Sequence, residues 1–167
     1  MDNPALLLID YQEAFHDVRM GARNNPQAEA NAEALLAGFR DAGLPVIHVR
    51  HDSTESGSLL SARAPGNAIM AFAVPKPDEP VIVKAVNSAF IGTGLEALLQ
   101  KMEIQRLVIA GVTTDHCVST TTRMAANLGF AVMLAADACF TFDRQSPEGA
   151  TLPADAVHQA HLASLHG

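Results

Sequence analysis

The feature that most constrains this chain is a rhythm of short apolar runs alternating with helical patterns. Ala5 to Ile9, Pro45 to Val49, Val81 to Val83, Leu107 to Ala110 and Ala131 to Ala135 are compact apolar stretches. Continuous runs of this length, without polar alternation, suit strands buried on both faces, as in a parallel sheet. Four helical stretches lie between and after them. Pro26 to Ala42 is Ala- and Leu-rich and is stopped by Gly43, while Thr93 to Met102 sets Leu95, Leu98 and Leu99 on one face. A third follows Cys117 and ends at Gly129, with Val118, Thr121, Ala125 and Leu128 on one stripe. The last runs from Ala154 to Leu165, with Val157, His161 and Leu165 at four-residue steps. Such alternation predicts a three-layer α/β domain with helices on both faces of a mostly parallel, five- to six-stranded sheet. At 167 residues the chain fits one domain, 1–167.

Two segments break the rhythm. Residues 16–26 are polar and read as a loop. Ser53 to Pro80 carries Gly57, Pro65, Gly66, Pro75, Pro77 and Pro80, with local structure suggested only over Asn67 to Ala73. A loop that long inside a compact domain is usually functional or mobile, and here it is expected to shape a pocket.

In open α/β sheets, ligands bind beyond the carboxyl ends of the strands. Asp10, Lys84 and Cys117 all fall at that edge, after the first, third and fourth predicted strands. Cys117 lies in the predicted first turn of a helix, with Thr114 or Asp115 as N-cap. Free N–H groups at a helix start favour thiolate over thiol. Singly, each residue has a plain reading: a packed cysteine, a solvated or capping carboxylate, a snorkelling lysine. Together they form a chemical set. A carboxylate can take the thiol proton, and a lysine can hold the carboxylate and stabilise the thiolate. On this reading Cys117 is the acidic, reactive thiol, and Cys139 is packed or ordinary, near pKa ~8.5.

Composition narrows the partners. A net charge of −7 argues against nucleic acid or an anionic membrane. There is no Trp and one Tyr, so no broad aromatic stacking platform. No apolar run approaches the roughly 18 residues that span a bilayer. No G-x-G-x-x-G follows the first strand, and no G-x-x-x-x-G-K-[ST] exists. Leu6-Leu7-Leu8-Ile9 is too short for a secretory signal and lacks a basic flank, and the two cysteines form no C-x-x-C. These features predict a cytoplasmic protein with reduced thiols that acts on a small molecule.

Three segments, in order, resemble the isochorismatase-like, or cysteine hydrolase, superfamily, which includes nicotinamidases and N-carbamoylsarcosine amidohydrolase. They are Leu8-Ile9-Asp10-Tyr11-Gln12 with Phe15, Val83-Lys84 followed by Ser88-Ala89-Phe90, and Gly111-Val112-Thr113-Thr114-Asp115-His116-Cys117-Val118. The resemblance covers nearly the whole chain, and the third segment is the specific one. It implies a catalytic triad of Asp10, Lys84 and Cys117, a cis peptide between Val112 and Thr113, and an oxyanion hole formed by the backbone N–H groups of Thr113 and Cys117. It also implies a homo-oligomer, dimer or tetramer. Phe15, Phe90 and His116 are candidate pocket walls.

Two departures from the family pattern stand out. Nicotinamidases bind a metal through an Asp-x-His and a further His. The nearest cluster here is His48, His51 and Asp52, and strand positions three apart point to opposite faces. No metal or other cofactor is therefore expected, and these histidines read as strand-end and surface residues. The sixth strand that relatives usually add after the last helix is also missing, so the sheet is either trimmed or five-stranded. The expected activity is hydrolysis of a small amide-like C–N bond through a thioester on Cys117. The alternatives are vinyl-ether hydrolysis and a catalytically silent binding protein on the same fold.

Overall fold

The computed structural model describes residues 4–166. Strands β1 (Ala5–Ile9), β2 (Val46–His51), β3 (Val81–Lys84), β4 (Arg106–Gly111) and β5 (Ala131–Leu134) form one parallel sheet in the order β3-β2-β1-β4-β5. β1 is central and buried throughout, which is why its sequence shows no polar alternation. Its side chains divide between two cores. Leu6 and Leu8 pack with Ala28, Ala32, Leu36 and Phe39 of α1 (Ala28–Asp41). Leu7 and Ile9 pack with Leu95 and Leu99 of α2 (Leu95–Lys101), and with Val118 and Ala125 at α3 (Ser119–Asn127). Helices thus cover both faces, and a last helix α4 (Ala154–Leu165) packs on α3.

α1 ends as Gly43 requires. This glycine takes φ 64°, and the Leu44 N–H closes back on the Phe39 carbonyl at 2.9 Å. Among the described residues no sixth strand joins the sheet. A short antiparallel ribbon forms instead, from β6 (Arg144–Gln145) and β7 (Thr151–Leu152), two residues each and too brief to leave a periodic signature. The stripe on α3 is also shorter than its spacing suggests, because Leu128 is exposed.

The main local correction concerns Cys117. It does not lie in the first turn of α3 but in a wider π-helical turn, Thr114–Val118, that precedes it. The Val118 N–H reaches five residues back to the Thr113 carbonyl at 3.3 Å. Neither Thr114 nor Asp115 serves as the cap. The cap position is Thr113, with no side-chain bond, and both neighbouring side chains are engaged elsewhere.

The chain runs outward from β1 through β2 to β3, then returns to the other side of β1 for β4 and β5. The reversal opens a crevice at the carboxyl ends of β1 and β4. There Gly111 pairs with Ile9 so closely that a Cβ would stand 2.3 Å from the Ile9 carbonyl oxygen and 2.6 Å from its Cβ. Gly111→Ala should therefore destabilise the fold by about 1–3 kcal/mol through overpacking. Urea unfolding reads this as a lowered midpoint; an unchanged midpoint would show that the two strands can separate at no cost.

Candidate active site

Asp10 follows β1 directly. Its N–H donates to the Val49 carbonyl at 2.9 Å, and its backbone takes φ 54°, a left-handed conformation uncommon outside glycine. Lys84 ends β3, two strands away. Its side chain crosses the end of β2 and passes His51, its partner in the strand register. The ammonium then stands among three groups: 2.7 Å from Asp10 Oδ2, 2.9 Å from His51 Nδ1 and 3.2 Å from Cys117 Sγ. The side chains of Lys84 and Asp10 are 0% and 1% exposed. The Asp10 contact is an ion pair without hydrogen-bond alignment, since neither carboxylate oxygen has a hydrogen-bond partner among the described residues.

The ligand-type atoms of Asp10, His51 and Cys117 all lie within 4.8 Å of one another. That spacing can hold a cation, and the cation in it is the Lys84 ammonium. A metal ion would have to share the space with a lysine, so this donor set does not fit one.

Burial governs the protonation of the pair. It raises the Asp10 carboxyl above its ordinary range, although Lys84 pulls the other way. It also pushes the Cys117 thiol up to about 12; the Asp10 charge adds to this and Lys84 opposes it. The shift runs opposite to the acidic thiol that a helix start favours. Cys139 is packed, one of the two readings expected of it, and its burial pushes the thiol up to about 12 rather than ~8.5. What separates the two thiols is access. Cys117 lines a cavity of about 480 Å³, and Cys139 does not.

That cavity has the size of a small-molecule site. Its floor holds Asp10 and Cys117, and Thr113 and Phe15 border it. The peptide between Val112 and Thr113 is cis. His116 lines the cavity with its side chain 56% exposed. The long loop supplies Ser53, Thr54, Glu55, Ser58 and Leu60. Phe90 does not reach the cavity. It is buried and stacks on Phe130 at 6.0 Å, because the turn after β3 presents Asn87 instead, with Oδ1 3.9 Å from Cys117 Sγ.

The two histidines of β2 do face opposite ways, but neither is a surface residue. His48 is buried on the α1 side, with Nε2 2.9 Å from Glu79 Oε2, which also accepts from Arg40 at 2.7 Å. His51 enters the site. Sequence reasoning missed it, and also missed the two amides that fix it. Gln12 Oε1 accepts from the His51 N–H at 2.8 Å, while Gln12 Nε2 and Asn67 Nδ2 donate to the His51 carbonyl at 3.0 and 2.9 Å. A glutamine two residues past Asp10 was the available signal. Arg144 was missed too. It grips Asp115 through Nε at 2.6 Å and Nη2 at 3.1 Å while lining the cavity. Burial alone would raise the Asp115 carboxyl, but Arg144 and Thr141 hold it well below the usual range.

The sequence model of the isochorismatase domain matches residues 4–163. The chain belongs to the isochorismatase family. It is 42% identical over 165 residues to YrdC of Bacillus subtilis, an uncharacterized isochorismatase family protein, covering 99% of this chain and 88% of that one. An isochorismatase-family crystal structure from Chromobacterium violaceum superposes with a TM-score of 0.96 at 52% identity, over 100% of this chain and 86% of that one. Nicotinamidase 3 of Arabidopsis thaliana is 31% identical over 175 residues, covering 96% of this chain and 79% of that one. The five-stranded parallel sheet with flanking helices is the isochorismatase-family fold.

Access and acidity make separable predictions for the thiols. Iodoacetamide should modify Cys117 well before Cys139 in the folded protein, at a rate that keeps rising from pH 7 to 9 because the thiol pKa is high. Peptide mapping of timed samples checks both points. Equal labelling of the two cysteines, or a rate plateau below pH 8, would contradict this account.

Proposed function

We propose that this isochorismatase-family hydrolase cleaves a small amide-like C–N bond through a thioester on Cys117. The observation that carries the reading is the buried Lys84 ammonium between the Asp10 carboxylate and the Cys117 sulfur, two groups that line a small-molecule cavity. Kinship with a nicotinamidase supports an amide substrate.

Cys117 attacks the carbonyl carbon while its proton passes to Asp10. A thiol whose pKa is pushed up by burial is a poor nucleophile until a base relieves it, and Asp10 is within 4.8 Å for that role. Backbone N–H groups of Thr113 and Cys117 receive the developing oxyanion. Lys84 offsets the negative charge as it moves between carboxylate and sulfur. Asp10 then returns the proton to the departing nitrogen, the C–N bond breaks, and ammonia or an amine leaves. A water deprotonated by Asp10 attacks the thioester, the C–S bond breaks, and the thiol is restored. Phe15 and His116 contact the remainder of the substrate from the cavity wall.

Assaying ammonia release over a panel of small primary amides tests this reading. Cys117→Ala should lose turnover by about three orders of magnitude or more, with its urea midpoint close to that of the parent. A variant that keeps parental activity on a verified amide would remove the covalent mechanism.

A further inference from the structure

We propose that His51 is a positioning residue of this site: its neutral imidazole accepts a proton of the Lys84 ammonium and holds that ammonium between Asp10 and Cys117. The inference rests on the reading of Asp10, Lys84 and Cys117 as the reacting set, and adds to it a fourth group.

An ammonium has three N–H donors and no acceptor. A histidine nitrogen 2.9 Å from it must therefore be the acceptor, so Nδ1 carries no proton and the neutral ring carries its hydrogen on Nε2. Lys84 then has three neighbours: the carboxylate as its ion-pair partner, and the sulfur and the imidazole as acceptors. Two of these must change during the reaction, since the sulfur bonds to carbon and the carboxylate takes up a proton. The imidazole is the neighbour whose hydrogen bond persists through the cycle.

The scaffold fixes the ring from behind. His51 is register partner to Lys84, so the two side chains emerge side by side. Its N–H and carbonyl are both held by buried Gln12, and the carbonyl also by Asn67. Such backbone anchoring is unnecessary for a surface histidine and suits one whose ring must hold its orientation.

The contact exists only while His51 is neutral. Protonation would oppose two N–H donors and two positive charges at 2.9 Å, and Lys84 would leave its position. The charged and titratable groups facing the ring are Lys84 from β3, Asp10 from the end of β1, Asp52 beside it, Glu55 from the loop and Cys117 beyond the ammonium. Burial, then Lys84, lower the His51 pKa below its ordinary value, while the carboxylates oppose them. The sign follows: the bond is present at neutral pH and is lost as pH falls through this lowered pKa.

Two arms test the assignment. Long-range ¹H–¹⁵N NMR of imidazole-labelled protein should show His51 as the Nε2–H tautomer at pH 7. It should titrate below the ordinary histidine value of about 6.5, with the pKa rising in Lys84→Met. This arm needs no substrate. A protonated Nδ1 at pH 7, or a pKa unmoved by Lys84→Met, would overturn the contact whatever the enzyme's reaction. The second arm follows kcat and KM against pH on a verified amide. His51→Asn puts a non-titrating oxygen near the place of Nδ1. It should keep kcat at pH 7 within about tenfold of the parent, and the acid limb of its profile should move to lower pH. His51→Leu has no acceptor and should lose kcat by about 10²-fold with little change in KM. Parental kcat in His51→Leu, or a parental acid limb in His51→Asn, would overturn the positioning role. Failure of the amidase reading shows separately, as absence of turnover in the parent.

Discussion

A lysine ammonium held out of water sets the terms for the rest of the site. A buried charge is tolerated only when paired, and removing its partner costs about 3–5 kcal/mol. The Lys84 and Asp10 side chains are essentially inaccessible, so each requires the other. Their ion pair joins the ends of β1 and β3 across β2 and brings His51 and Cys117 to the same ammonium. The left-handed turn at Asp10 and the double clamp on His51 are the backbone arrangements that keep these contacts in place.

The same burial shapes the chemistry. It raises the pKa of both the Asp10 carboxyl and the Cys117 thiol, and Lys84 opposes both shifts, so the ammonium is what keeps Asp10 available as a base beside the thiol. An idle thiolate would be open to any electrophile. On the proposed reading, ionisation is coupled to the arrival of a carbonyl carbon, and Lys84 stabilises the negative charge on either side of the transfer. Sheet topology supplies the setting. β1 is the central strand and β4 returns beside it, so the crevice opens where Asp10 and the turn bearing Cys117 face each other.

Much of this was legible in the sequence, for identifiable reasons. β1 reads as a strand because burial on both faces leaves an unbroken apolar run, and α4 reads to the residue because Val157 and Leu165 keep helical spacing. Asp10, Lys84 and Cys117 were legible because each lies at or just past the end of a strand. His51 was not, since its role depends on the register between β2 and β3, which a single strand does not encode. The wide turn at Cys117 escaped because side-chain spacing barely distinguishes a bond five residues back from one four back over so short a span. Phe90 was misplaced because the path of the turn after β3 decides whether it meets the cavity or Phe130. The thiol was expected to be acidic because helix-start geometry can be read from sequence, whereas the burial that outweighs it cannot.

The central claim is that amides are cleaved through an acyl group carried on Cys117. Hydroxylamine partitioning tests it most directly. Two amides with the same acyl group but different amine leaving groups are turned over in the presence of hydroxylamine, and hydroxamate and acid are quantified. A common thioester predicts the same ratio of hydroxamate to acid from both substrates, with neither product formed by Cys117→Ala. Ratios that follow the leaving amine, or hydrolysis in which hydroxylamine captures nothing, would contradict it.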